Sequence, residues 1–536
     1  METNITVNIA AIGGLRVPAG TSLLALAAQY PEACRYDILL AKLNNELREL
    51  NFTLTEGWDG CFIEFLDITD PGGPGSTIST VPGPGTAAQR INLLVDINRH
   101  AVRITQVSGG FTDRMMLGLV LVPLAAVIAF SPLRPWLRSA LSSAVAAGRA
   151  RRLVRLARRL RARLVPVRRA LAPLLARAHG WALPALQVVA VAVAALPVAS
   201  FLSGLVPWWR ATDPSSGFWW TVTGFVAGIT VVAFVGPWRR SRTGPVAVVA
   251  AVTTLVLTAD AALGGRLVVD SPLGAHRILG ARFYGASNQS FALLSVGALV
   301  LAALVARSSL ARGWRTAAWM SVAVIGLVVI AADGAPGMGA DFGGPLAMLL
   351  AFLVVVSAVA GRRVRLATVL AVVGVAVVVV GGFAVLDWLR PPQDRTHLGR
   401  FVATVISGGM WPMIESKIST NLRLLSNMRY LLPTLVGTAT TVWLVGLGRR
   451  TGARWRRGAL SRLTAAEPLV RPTTAAVAVV LGVGSLTNDS GVVIVATGLA
   501  LAVPLLVALA CGPGPAVTGD EQPATEPRTA RSAAGR

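Results

Sequence analysis

Apolar runs long enough to cross a bilayer recur along the chain, and the polar residues between them alternate in character. The runs are Met115–Leu133, Trp181–Pro207, Phe218–Trp238, Pro245–Leu263, Phe291–Ala306, Thr316–Ala332, Gly344–Ala360, Leu366–Leu386, Leu431–Leu447, Pro472–Leu486 and Val492–Ala510. A spanning helix needs roughly 17–25 such residues, and the shorter runs sit at the low end. Internal Pro and Gly are tolerated in membrane helices because neighbours re-satisfy the backbone. Every second gap is packed with arginine. Residues 131–180, 238–243, 307–315, 361–365 and 449–471 carry twenty-nine Lys and Arg, against ten in the alternating gaps 207–217, 264–290, 333–343, 387–430 and 487–491. Basic loops stay in the cytoplasm. The expected fold is therefore mostly α, a polytopic transmembrane helical bundle of eleven spans over residues 115–511. The tail 512–536 is expected inside and disordered. A re-entrant first segment would leave ten spans.

Composition agrees. The 536 residues are 54% hydrophobic and 14% charged, against roughly 25% charge in a soluble domain. The net charge of +25 sits in short loops, where it sets orientation and meets anionic lipid, so nucleic acid is not an expected partner. Within 137–178, Leu153, Leu156, Leu160 and Leu164 form a stripe surrounded by seven arginines between Arg151 and Arg163. This reads as a basic amphipathic helix on the anionic inner leaflet. The three cysteines show no metal-site spacing, so no zinc is expected. The segment METNITVNIAAIGG lacks the basic-then-apolar pattern of a signal peptide.

Residues 1–70 follow a different period. Ile5–Ile9 alternates as a strand, Gly13-Gly14 turns, and Leu15–Val17 returns. Thr21 or Ser22 caps a helix through Tyr30. Ile38–Leu43 and Cys61–Ile68 read as further strands. The order ββαββ is that of a small α+β (β-grasp) domain. The residues Val17-Pro18-Ala19-Gly20-Thr21, Ile38, Leu39, Ala41, Asn44, Asn45, Leu50 and Asp67–Asp70 resemble the TGS domain, a β-grasp module of threonyl-tRNA synthetase and stringent-response synthetases that is also fused to some nucleoside kinases. The resemblance implies a regulatory or ligand-contacting module with a protein or small-ligand partner, not a catalytic one. Residues 71–114 read as a Pro/Gly-rich linker, 71–89, and a pre-membrane segment. If the first run spans, residues 1–114 lie outside, and the basic content of 131–180 favours that placement.

The unusual polar clusters fall in the arginine-poor gaps, on the expected outer face. Alternate spans end there in Asp260, Asp333, Asp387 and Asp489. Ionisable groups at membrane depth mark function by default. ARFYGASNQ supplies Arg282, Tyr284 and Asn288, with Tyr284 and Asn288 one helical turn apart. GADFGG places Asp341 between glycines. DWLRPPQDRTHLGRF supplies Asp387, Arg390, Arg395, His397 and Arg400. Lys417, one of two lysines in the chain, lies four residues before Asn421 on an amphipathic segment, Trp411–Leu425. Arginine forks suit phosphate, and His with Asp suits proton transfer. The expected substrate-binding set is Arg282, Tyr284, Asn288, Asp341, Arg390, Arg395, Arg400, Lys417 and Asn421. The expected catalytic set is His397, Asp387 and Asp489. No dedicated metal site is expected, although a divalent cation at the outer aspartates is compatible with these residues.

The motifs RFYGxxN, DxGG, DWLRPxxxRTHLGRF, KxxxNL and NDSG resemble polytopic proteins of GC-rich Gram-positive bacteria for which no activity is established, over residues 260–500. Three functions stay open. The first is an outward-facing enzyme on a phosphate-bearing lipid-linked or cell-envelope substrate, the second a transporter or flippase for an anionic solute. The third is a non-catalytic scaffold or sensor using the β-grasp unit. A multi-pass cell-membrane protein with a cytoplasmic C-terminus is common to all three. A topology reporter fused after Arg536 should be active only inside the cell, and one in the His397 loop only outside; the reverse pattern would invert the side assignment.

Overall fold

The computed structural model describes residues 4–9, 13–30, 38–43, 46–49, 52–56, 59–67, 87–130, 181–269, 271–274, 285–335, 338–339, 341, 343–362, 365–391, 402–403, 405–406, 408, 410–445, 463, 467–488 and 490–512. The basic segment 137–178 and the tail beyond Gly512 lie outside them.

The N-terminal unit is a five-stranded sheet carrying one helix. Strands β1 (Asn4–Ile9), β2 (Gly13–Pro18), β3 (Ile38–Leu43), β4 (Glu46–Glu49) and β5 (Cys61–Asp67) are ordered β2-β1-β5-β3-β4. β1 pairs antiparallel with β2 and parallel with β5. Alternation buries Ile5, Val7 and Ile9 on one face, as a period of two requires. They pack with Val17, Leu23, Leu26, Leu54, Cys61 and Ile63. Helix α1 (Leu23–Gln29) starts where expected, with the Ser22 hydroxyl accepting from Ala25 N at 3.1 Å. The short strand β4 is not legible in the sequence: ELRE lacks an apolar alternation, and only its antiparallel ladder with β3 makes it a strand.

The remainder is mostly helical. Helix α2 (Ala87–Phe130) is one continuous helix, so it takes in the last three residues of the expected 71–89 linker and the whole pre-membrane segment. At 1.5 Å per residue it is about 66 Å long, roughly twice the hydrocarbon thickness. The other helices are α3 (Trp181–Leu205), α4 (Pro214–Val235), α5 (Gly244–Ala262), the single turn α6 (Arg266–Val269), α7 (Asn288–Ala311), α8 (Arg315–Gly334), α9 (Gly344–Val359), α10 (Leu366–Trp388), α11 (Met410–Leu425), α12 (Met428–Val445), α13 (Val470–Thr487) and α14 (Val492–Cys511). Over the described residues, each of the eleven apolar runs falls on a helix. Eight helices are long and apolar enough to cross a membrane among the described residues: α2 over Arg99–Ala129, α3, α4, α5, α7, α8, α13 and α14. α9 is apolar but shorter.

α7 and α14 are the most buried spans. Helices apolar all round belong in the interior of a bundle, and small residues let them approach closely. Gly484 of α13 faces the Phe291 ring of α7, Gly498 of α14 faces Leu481, and Gly326 of α8 faces Phe352 of α9.

Contacts between connectors reproduce the two faces inferred from arginine counts. On the arginine-poor face, Ala286 N donates to Gly339 O at 2.7 Å, and Asn288 reaches Ser490. On the basic face, Arg242 donates to Gly512 O, and Arg307 pairs with Glu467. α2 joins the arginine-poor face. Its Asp96 pairs with Arg210 at 2.6 Å, and its His100 ring stacks on Trp209 with centroids 3.5 Å apart. Below them Phe111, Trp208, Phe218 and Trp219 form an aromatic group, with the Arg114 guanidinium 4.0 Å over Trp219. Such rings belong at the membrane–water interface.

The Asp96 carboxyl is held below the usual carboxylate range, chiefly by the hydrogen bond from Arg210 and also by Trp209. A depressed folded pKa stabilises above the unfolded value, near 3.9 for Asp, and that contribution is lost as pH falls through the folded value. The thermal midpoint of Asp96→Asn should lie below wild type at neutral pH, and the gap should close on acidification below about pH 4. A gap independent of pH would show that the ion pair does not anchor α2.

Candidate functional site

The arginine-poor face gathers helix ends around the turn between α13 and α14. α13 ends at Thr487 because Asn488 is extended. α14 starts after Gly491, whose φ of 42° is positive, a conformation glycine adopts cheaply. Onto this turn come three expected site residues, and a fourth stands beside it. Asn288 opens α7 and donates from Nδ2 to Ser490 Oγ at 2.5 Å. Lys417 Nζ donates to Thr487 O at 3.2 Å. Asn421, one turn later on α11, sits against Gly491, with a buried Oδ1 that has no hydrogen-bond partner. Asp341 stands before α9, whose neighbouring Gly343 abuts Thr487 and Asn488.

Each residue is placed by a local rule. Ser287 caps α7 in a reciprocal box with Ser290, as S/T residues do at N-caps. The helix start expected around Arg282 and Tyr284 therefore falls at Asn288. Gly285, with φ 78°, and extended Ser287 precede it, so Asn288 has no helical turn before it to share with position 284. Asp341 accepts from Gly343 N and Gly344 N, both at 3.2 Å, and so caps α9. α11 forms over the amphipathic segment expected to carry Lys417 and Asn421.

Three carboxylates at this face are buried. Asp260 is explained structurally: Oδ1 accepts from Leu267 N at 2.8 Å and Oδ2 from Val268 N at 2.9 Å, holding the turn α6. Asp341 is 7% exposed and Asp333, in the last turn of α8, 0%. Neither oxygen of Asp333 has a hydrogen-bond partner. A buried polar group without one costs free energy and calls for an explanation. Asn488, 8% exposed, has an unpartnered Nδ2.

The arrangement differs from the expected one in composition. The cluster holds carboxylates, carboxamides, hydroxyls and one lysine. Asp387 ends α10, and Arg390 follows it, exposed. Arg282, Tyr284, Arg395, His397, Arg400 and Asp489 lie outside the described residues. Thr487, Asn488 and Ser490 were not singled out individually in the sequence; the signal was the polar run TNDSG between two apolar spans. Among the described residues, no group of three or more His, Cys, Asp or Glu side chains gathers as a metal site. No family model matches the chain, and comparisons with curated proteins and with solved structures give no match.

Asp260→Ala would leave two backbone N–H groups without their acceptor, which costs about 1–3 kcal/mol. Its thermal midpoint in detergent should fall measurably, and Asp260→Asn should recover part of the loss because the amide oxygen can still accept. Equal losses in the two variants would contradict the capping role.

Proposed function

We propose that this integral membrane protein binds a phosphate-bearing lipid-linked or cell-envelope substrate at its extracytoplasmic face. The observation that carries the reading is the meeting of three helix N-termini, those of α7, α9 and α14, with Lys417 around one turn. The positive dipole end of a helix favours an anion, and a lysine adds a full charge; the caps Ser287 and Asp341 already take the Ser290, Gly343 and Gly344 N–H groups. Helix ends at the interface also lie where the headgroup of a membrane-held substrate lies, while its apolar part stays in lipid.

In this reading the chain crosses the cell membrane eleven times, with the C-terminus and the basic segment 137–178 on the cytoplasmic, anionic leaflet. Arg282, Arg390, Arg395 and Arg400 add charge for phosphate, Tyr284 and Asn288 orient the substrate, and His397 with Asp387 or Asp489 moves a proton. The N-terminal unit is a TGS-like β-grasp domain, which α2 carries outside. Its strand order, with β5 central and β1 parallel beside it, supports that assignment. The transporter reading calls for ionisable residues at mid-membrane. Among the described residues the spans other than α2 carry their charges near the ends, as Asp260, Asp333, Arg307 and Arg471 do, while α2 carries Asp113 and Arg114 within Arg99–Ala129.

Binding of a short-chain prenyl phosphate to the purified full-length chain, read by calorimetry, tests the reading. Lys417→Met should weaken binding about tenfold through loss of a charge-assisted contact. His397→Ala should leave binding intact and, where turnover is measured, cut it by about 10²–10⁴. Absence of binding by the wild-type chain would dismiss the phosphate reading, and full complementation of a deletion by both variants would favour the scaffold.

A further inference from the structure

A cavity of about 520 Å³ lies between α12 and α13, with the buried helices α7 and α14 behind it. Its lining on α14 runs from Val495 to Leu509, about 21 Å at 1.5 Å per residue. That exceeds half of the roughly 30 Å hydrocarbon thickness. The walls are apolar, with Leu304, Val477, Leu481 and Leu499 among them. Three of its four threonines, Thr441, Thr473 and Thr474, donate their hydroxyls to carbonyls of their own helices at 2.9, 2.7 and 2.8 Å. Their donors are therefore already used. Held water needs two to four polar partners, and such walls suit hydrocarbon instead. The groove is open along its side, since Val442, Ala475 and Ala478 line it and are exposed. Gly482 lines it too, and a Cβ there would meet nothing within 4 Å.

Charge is confined to one end, on the basic face. Arg307 near the end of α7, Glu467 just before α13 and Arg471 in the first turn of α13 line the cavity there. Arg307 pairs with Glu467. Arg471 makes no ion pair among the described residues. Two arginines against one glutamate leave one net positive charge. The start of α13, whose N-cap Leu469 makes no side-chain bond, adds the positive end of a helix dipole. We infer that this groove holds one phospholipid of single net negative charge from the leaflet on the basic face, with an acyl chain between α12 and α13 and the phosphate against Arg471. A zwitterionic headgroup fits less well. Glu467, the acid that would take its ammonium group, is 4% exposed and already paired. The site is separate from the polar turn and independent of the function proposed for it: Asn288 and Arg307 stand near opposite ends of α7, about 28 Å apart along the helix.

Phosphatidylglycerol and phosphatidylcholine of equal chain length are the probes. The purified full-length chain in detergent, stripped of lipid, is titrated with each, and bound lipid is read by native mass spectrometry. We expect one saturable site per chain, about tenfold tighter for phosphatidylglycerol because of the charge-assisted contact. Arg471→Gln should remove that preference and leave phosphatidylcholine affinity unchanged. Gly482→Leu and Ala478→Phe fill the groove from open positions, so each should weaken both lipids at least about tenfold; two such variants keep a fold defect in one from deciding the result. Arg362→Gln, at an exposed arginine of the same face outside the groove, should bind as wild type. Absence of a saturable lipid site in the wild-type chain overturns the inference. So do equal wild-type affinities for the two lipids, and unaltered affinity in both filled variants. A dimer mass that appears in place of bound lipid would assign the groove to a second copy of the chain and overturn it as well.

Discussion

The Phe291 ring is the contact on which the polar face depends. It is fully buried, and it rests on Gly484 of α13 and Gly344 of α9. A Cβ at either glycine would overlap the ring. This one aromatic therefore sets how closely α7, α9 and α13 approach at their outward ends. Lipid supplies no hydrophobic drive between helices, so such close packing is what joins them. With the three helices drawn together, their terminal polar residues have nowhere to go but against each other. Asn288 meets Ser490, Gly343 meets Asn488, and Asp341 meets Asp333.

The membrane imposes the complementary constraint. Backbone groups cannot be left unpaired in hydrocarbon, so irregular structure is confined to helix ends or to protein-lined interior. The described chain obeys this with short connectors, and it uses the two faces differently. The basic face is tied by arginine to a carbonyl or a carboxylate, as in Arg242 with Gly512 and Arg307 with Glu467. The other face is tied by small polar groups and glycine turns, in which Asp260, Ser287 and Asp341 cap the neighbouring helix ends. Gly344 serves both ends of this division: the missing side chain admits Phe291 from below and two carboxylates from above.

α2 links the two kinds of architecture in the chain. It is longer than a crossing requires, and its upper part is held by Asp96 to Arg210 and by His100 to Trp209. Arg429 at the start of α12 pairs with Asp113 lower on the same helix. These contacts make the helix a fixed element of the arginine-poor face rather than a tether.

What the sequence determined by itself follows from solvent. Length and hydropathy marked apolar runs that fall on helices, eight of them long and apolar enough to cross a membrane among the described residues, because lipid demands apolar runs of a set length. Arginine asymmetry separated the faces, and alternation in β1 with the Ser22 cap outlined the N-terminal unit. The polar runs GADFGG and TNDSG, and the pair Lys417 and Asn421, were also legible as belonging to one face. Which of them meet was not, because helix order in a bundle leaves no trace in periodicity. Tertiary packing decided that Asn288, Lys417 and Asn421 share one turn, and that Asp341 stands one step away from it behind Gly343. It decided that Asp260, indistinguishable from Asp333 along the chain, has both oxygens occupied by α6 while those of Asp333 are unpartnered. A carboxylate's role depends on the donors within about 3 Å of it, and in a bundle those donors come from segments far away in sequence.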